Sequence, residues 1–142
     1  MERYLYFRTE ATDANDDARG DSACFPVSSF MGMQPVGDSE LGLYFKSMRR
    51  GVPSGNEPDA DASFDNHDSV VLNLTTANTH LVAMKAITTA MSIGRSYTNS
   101  NFLSPLIIVA DDNNSPSGST EYLEGSGIAS CGTISVQSAY AN

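Results

Sequence analysis

Alternating apolar and polar positions, the pattern of a half-buried β-strand, recur along this chain. In residues 38–48, Leu41, Leu43 and Phe45 are expected to point inward, and the polar positions between them outward. Residues 102–111 are almost continuously apolar, which is typical of a central strand covered on both faces. The strands predicted in this way are residues 2–9, 23–34, 38–48, 69–76, 102–111 and 127–137.

Proline and glycine positions mark the breaks between neighbouring strands. Pro26 either interrupts the strand at 23–34 or begins it, because proline cannot donate a hydrogen bond to a sheet. Gly37 and Asp38 are residues that favour a tight turn. We therefore expect a hairpin between this strand and the one at 38–48.

Residues 77–93 predict the one main helix, because their apolar positions follow the three- and four-residue spacing of a helix face. Asn78 or Thr76 is expected to cap its first turn, and Gly94 fits the position just beyond its end. The inward face is predicted to consist of Ala83, Met84, Ile87, Ala90, Met91 and Gly94.

The order of these elements is β-β-β-β-α-β-β, which favours an α+β fold over an alternating α/β fold. We expect a mixed, mainly antiparallel sheet with one main helix packed on it, joined by long polar loops. The length of 142 residues fits one domain covering 1–142.

The outward face of the predicted helix is poor in charge. Lys85 is the one formally charged residue between Ala77 and Ile93, whereas a solvated helix usually carries several charged pairs. Interfaces between proteins are depleted in charge. Val82, Lys85 and Thr89 are therefore candidate interface residues, and the alternative is an ordinary polar helix whose solubility comes from acidic loops elsewhere.

The acidic composition excludes some classes of partner. The formal net charge is −9, and the chain has two lysines, so it lacks the positive field that nucleic-acid binding requires. No apolar stretch reaches the length of a membrane span. Cys24 and Cys131 have no metal-binding spacing and are expected to be two buried thiols.

Candidate metal ligands are sparse. Asp13, Asn15 and Asp17 begin like a calcium loop, but Ala18 stands where the loop needs glycine and Cys24 where it needs a glutamate. No phosphate-binding, dinucleotide-binding or nucleophile motif is present, so neither a cofactor nor an enzymatic activity is predicted. A second hypothesis, a metal-dependent module, requires four residues to converge at strand ends. These are Asp65, His67, Asp111 and Asp112.

Two further surfaces have candidate functions. Arg49 and Arg50 form the one basic pair, which is either solvated or a docking contact for an acidic partner. A third hypothesis, a small-ligand or glycan-binding domain, would use exposed aromatic side chains. These are Tyr4, Tyr6, Tyr44 and Tyr122.

The layout of the whole chain resembles that of small virion proteins of tailed bacteriophages infecting marine bacteria, in particular capsid decoration (cement) and minor structural proteins. The segments that carry the resemblance are "MERYLYFRT", "LGLYFKSM", "SVVLNLTTANTHLVAMKAITTAM" and "SPLIIVADD". The resemblance implies many copies bound to the major capsid protein or to other virion proteins, with self-association and without enzymatic activity. No segment of this sequence distinguishes a capsid decoration protein from a tail, neck or filament subunit, so these three classes are the alternatives.

Overall fold

The computed structural model describes residues 2–47, 67–93, 105–113 and 120–136. Within these ranges the strands form two four-stranded sheets rather than the one sheet expected. One helix accompanies them, so the α+β class with a single main helix is confirmed. The elements are β1 (Tyr4–Arg8), β2 (Ser22–Pro26), β3 (Phe30–Gly37), β4 (Glu40–Lys46), β5 (His67–Leu74), α1 (His80–Ile93), β6 (Leu106–Asp111), β7 (Glu121–Tyr122) and β8 (Ile128–Ser135).

The first sheet has the strand order β2-β1-β6-β7, and the second has the order β3-β4-β5-β8. Strands β1 and β6 pair in parallel, and every other pair is antiparallel. Strand β6, the apolar run predicted to be central, lies between β1 and β7.

Pro26 is the point where the chain leaves one sheet for the other. The segment 23–34 is two strands, β2 and β3, separated by a short 3-10 turn at Val27–Ser29. The Ser29 hydroxyl donates to the Pro26 carbonyl at 2.7 Å and so closes this turn. The strand is therefore interrupted at Pro26, as one of the two sequence alternatives had it.

The core lies between the two sheets and is built on phenylalanine. Phe25 of the first sheet stacks on Phe45 of the second, with ring centroids 4.2 Å apart. Phe7 meets the edge of Phe45 at 5.9 Å. All three rings are fully buried, as are Leu41 and Leu43, so the inward face predicted for the strand at 38–48 is confirmed. Aromatic contacts of this kind add to the burial of apolar area that joins the sheets.

The predicted hairpin is formed by β3 and β4, with its turn one residue later than expected. Gly37 still pairs with Glu40, so the turn residues are Asp38 and Ser39. Strand β3 is an edge strand with two register shifts, one of them between Pro35 and Gly37. Proline is tolerated there because an edge strand leaves one row of backbone groups unpaired.

Helix α1 begins later than predicted. The Thr79 carbonyl accepts hydrogen bonds from the Val82 and Ala83 amides, so Thr79 rather than Asn78 or Thr76 is the first capping position. Asn78 has a φ of 64° and donates its amide to the Asp38 carbonyl at 2.8 Å, which holds it outside the helix. Gly94 lies outside the described residues.

Two side chains fix the ends of α1 to the sheets. A ring nitrogen of His80 lies 2.9 Å from the Gly37 carbonyl and 3.1 Å from the Glu40 carbonyl, and it donates there. His80 therefore joins the first turn of α1 to the β3–β4 hairpin. At the other end the Arg3 guanidinium donates to the Met91 carbonyl at 3.0 Å, where a cation also complements the helix dipole.

Candidate interaction surface

The inward face of α1 is the one that the sequence predicted. Ala83, Ile87 and Ala90 are fully buried, and Met84 and Met91 are half-buried against the same core. The helix contacts β3 of one sheet and β6 of the other. Its opposite side is thereby turned away from both sheets.

The outward side of α1 exposes apolar and uncharged side chains. Leu81 is 61% exposed and Val82 is 47% exposed, which are high values for aliphatic residues. Lys85 and Thr89 are also exposed, as expected from the sequence. We call these four residues, Leu81, Val82, Lys85 and Thr89, the helix surface.

One of the two threonines of α1, Thr88, hydrogen-bonds within the helix. The Thr88 hydroxyl donates to the Met84 carbonyl at 2.9 Å and to the Lys85 carbonyl at 3.1 Å. Such back-bonding satisfies the hydroxyl without a partner molecule. Threonine alone therefore does not make this face an interface, and the exposed Leu81 and Val82 are the stronger signal.

A groove of about 330 Å³ runs beside the helix surface. Its helical wall consists of Val82, Lys85, Ala86 and Thr89, and its other wall is formed by the turn after β7. The turn residues in contact with the groove are Glu124 and Gly125. The sequence did not predict these two residues, because no local pattern links "EGSG" to a helix from which two strands, β6 and β7, separate it.

The turn that carries Glu124 is held firmly in place. The Ser126 amide donates to the Leu123 carbonyl at 3.2 Å, and Gly125 has a φ of 77°, the geometry of a type II turn. Leu123 and Ser126 are buried, and the Ser126 hydroxyl donates to the Leu123 carbonyl at 2.6 Å. The backbone at Glu124 is therefore fixed by a hydrogen-bonded turn with buried residues on both sides.

Among the described residues that line the groove, Lys85 and Glu124 are the charged ones, one on each wall. Both are exposed, and neither takes part in an ion pair among the residues that the structure describes. The described lining thus carries one positive and one negative charge, in a strongly acidic chain.

A second groove, of about 410 Å³, lies over β3 and β4. Tyr44 and His67 are in edge contact there, with ring centroids 6.0 Å apart. This groove is open to solvent, whereas sites for small ligands usually enclose most of the ligand surface. Its lining residues are Met31, Gly32, Met33, Gln34, Tyr44 and His67.

The tyrosines considered for a glycan site lie on different faces. Tyr4 and Tyr6 alternate with the buried Leu5 of β1, so they point away from the core on the first sheet. Tyr44 does the same on β4 of the second sheet. Tyr122 donates its hydroxyl to the Asp112 carboxylate. The structure therefore does not bring these four side chains together.

The candidate metal ligands are also apart where the structure describes them. Both carboxylate oxygens of Asp112 accept from the Cys131 amide at 3.1 Å, and Leu72 is the strand partner of Cys131. His67 precedes Leu72 by five residues in β5, which corresponds to a distance of roughly 16 Å along the strand. Asp65, Arg49 and Arg50 lie outside the described residues. Within 2–47, 67–93, 105–113 and 120–136, no group of three or more His, Cys, Asp or Glu side chains could hold a metal ion.

The loop resembling a calcium site uses its carboxylates to close itself. Asp21 accepts from the amides of Asp17 and Ala18, at 3.1 and 2.8 Å. Asp16 accepts from the Ser22 hydroxyl at 2.8 Å and lies 3.6 Å from the Arg8 guanidinium. Two carboxylates of the loop, those of Asp16 and Asp21, are thus used to hold the loop closed.

The two cysteines differ in environment, so the expectation of two buried thiols is wrong for one of them. Cys24 is exposed because it lies on edge strand β2 with its side chain away from the core. Cys131 is buried, and burial together with the nearby Asp112 carboxylate raises the pKa of its thiol to about 12.

Comparison with known protein families, with curated proteins and with solved structures finds no match to this chain. Among the described residues, α1 is too short to cross a membrane, and no other helix there qualifies.

Proposed function

We propose that this chain is a non-enzymatic virion structural protein, a capsid decoration (cement) protein that binds and stabilises a capsid lattice in many copies. The observation that carries the proposal is the helix surface, an exposed apolar and charge-poor strip beside a groove. Contiguous exposed apolar area on a small domain usually marks a contact with another macromolecule.

The placement of the charged residues supports an assembly role rather than catalysis. The carboxylates of Asp112, Asp21 and Asp16 accept hydrogen bonds from other groups of the fold. Catalytic carboxylates need a free oxygen in a cleft, close to a second titratable group. The resemblance of the chain layout to small virion proteins favours the same class, in which tail, neck and filament subunits are the alternatives.

The experiment is to fractionate virus particles from the cells in which the chain is naturally made. On a density gradient the protein should sediment with the particles, and quantitative mass spectrometry should find many copies per particle. Electron microscopy of the same fraction should place it on the outer capsid surface. Density on the tail or neck would assign the alternative subunit class, and absence of the protein from purified particles would refute the proposal.

A further inference from the structure

We infer that the helix surface and its groove pair with the same surface of a second copy of this chain, with Lys85 of each copy facing Glu124 of the other. The inference rests on the proposed assembly function and names one partner for its contact surface.

The charge pattern of the groove is complementary to itself. In a two-fold symmetric contact every interaction occurs twice, so a surface with one positive and one negative wall meets its own complement when the two-fold axis runs along the groove. Lys85 and Glu124 form such walls, since one lies on α1 and the other on the turn after β7. An acidic partner would leave Glu124 facing like charge, and a basic partner would do the same to Lys85. A second copy satisfies both.

The local charge also removes the main obstacle to pairing of an acidic chain. Two molecules with a formal charge of −9 repel each other overall. The described lining of the groove adds no net charge to this repulsion, because Lys85 and Glu124 have opposite charges. At physiological salt, repulsion between exposed charges is largely screened once they are more than about 8 Å apart. Contact at this groove is thus less opposed than contact through the acidic loops.

The shape of the groove leaves room for apolar side chains of a second copy. Ala86, Thr89 and Gly125 are small, and an added methyl group at Gly125 meets no atom within 4 Å. Leu81 and Val82 project beside this space and are about half exposed or more. Inserting such side chains into the facing groove removes apolar area from water on both copies.

The test is charge reversal followed by sedimentation equilibrium of the purified chain over a concentration series. The wild type should form a dimer. Lys85→Glu and Glu124→Lys should each weaken dimerisation by roughly tenfold or more, because each places like charges opposite each other at two symmetric contacts. The double variant Lys85→Glu/Glu124→Lys should restore the dimer, and an equimolar mixture of the two single variants should form a heterodimer.

Matched controls are Lys46→Glu and Asp17→Lys, which reverse exposed charges outside the groove. They should leave the dimer unchanged, and thermal melts should show that every variant is folded. A monomeric wild type, a larger assembly, or single variants that dimerise normally would overturn the inference, as would failure of both rescues. None of these results bears on whether the protein sediments with virus particles, so the proposed function is tested separately.

Discussion

At the scale of single residues, Asp112 connects the two sheets at one end of the core. It follows β6 of the first sheet, and its carboxylate accepts from the Cys131 amide of β8 in the second. The same carboxylate accepts from the Tyr122 hydroxyl of β7. Burial and this hydrogen bond raise the pKa of Tyr122, because both disfavour the phenolate. A single half-buried carboxylate therefore orders three strands.

Removing the Tyr122 hydroxyl should weaken this connection. We expect Tyr122→Phe to lower the free energy of unfolding by roughly 1–2 kcal/mol, since a hydrogen bond to a charged group is lost. Urea unfolding would measure the change. The matched control is Tyr44→Phe, whose hydroxyl accepts from the exposed Gln34 side chain and should matter by less than about 0.5 kcal/mol. Equal effects of the two substitutions would contradict the role given to Asp112.

The two thiols should differ in reactivity. Under native conditions an alkylating reagent should label Cys24, which is exposed, and spare Cys131, which is 4% exposed with a pKa raised to about 12. Mass spectrometry should find one label in the folded chain and two after denaturation. A Cys24→Ser variant should take up no label while folded. Native labelling of that variant would show that Cys131 is accessible.

At the scale of elements, strand β8 contains a bulge that turns the side chains on both sides of it toward the core. Cys131 pairs with Leu72 and Ile134 with Val70, so Gly132 and Thr133 lie opposite Val71 alone. A bulge lets both flanking side chains, Cys131 and Ile134, be buried. Glycine is needed within it because β5 approaches closely.

Replacing Gly132 should be costly for this reason. An added Cβ would lie 2.8 Å from the Val71 carbonyl oxygen, a backbone atom that cannot move independently of the sheet. We expect Gly132→Ala to lower the free energy of unfolding by about 1–3 kcal/mol in urea unfolding. Gly20→Ala is the control, because its Cβ meets the nearest atom at an ordinary 3.5 Å. A Gly132→Ala protein as stable as the control would contradict the close approach.

On helix α1, charge placed at Thr89 should affect association more than folding. Thr89→Glu on an exposed position should change stability by no more than about 0.5 kcal/mol. In a contact, the new carboxylate would be desolvated close to Glu124, and association should be lost. Thermal melts and sedimentation measure the two effects, with Thr133→Glu as an exposed control on β8. Unchanged association would make the helix surface an ordinary polar face.

At the scale of the whole molecule, the two sheets and the helix depend on one another. The phenylalanine core joins the sheets through Phe25 and Phe45. His80 and Arg3 attach the ends of α1 to the β3–β4 hairpin and to the start of the first sheet. We therefore expect the described elements to unfold together rather than sheet by sheet.

This cooperative unit should lose stability at alkaline pH. The folded pKa values of Cys131 and Tyr122 are raised, so the stability they contribute is complete below the unfolded values of roughly 8.5 and 10 and is lost as pH rises. The buried Cys131 can add a slope of up to about 1.4 kcal/mol per pH unit, and Tyr122 adds less because solvent screens it. Urea unfolding between pH 8 and pH 11 would measure it. A Cys131→Ala variant should lack the part that begins near pH 8.5, and an identical slope in that variant would refute the assignment.

The sequence by itself determined the elements whose pattern is local. The alternation of Leu41, Leu43 and Phe45 fixed the inward face of β4, and the spacing of Ala83 and Ile87 fixed that of α1. Side-chain direction repeats every two residues in a strand and about every 3.6 in a helix. Burial of one face therefore leaves a signal within a few neighbouring positions.

Only the tertiary structure decided which elements meet. The division into two sheets, the exposure of Cys24 on an edge strand and the placement of Lys85 and Glu124 on opposite walls of a groove all depend on pairing between distant segments. The start of α1 at His80 also depends on a distant segment, because the Asp38 carbonyl accepts from the Asn78 amide and holds Asn78 in a non-helical conformation. Such contacts are stabilised by burial and hydrogen bonding of two segments at once. A single stretch of sequence contains only one of the two segments and therefore does not specify the contact.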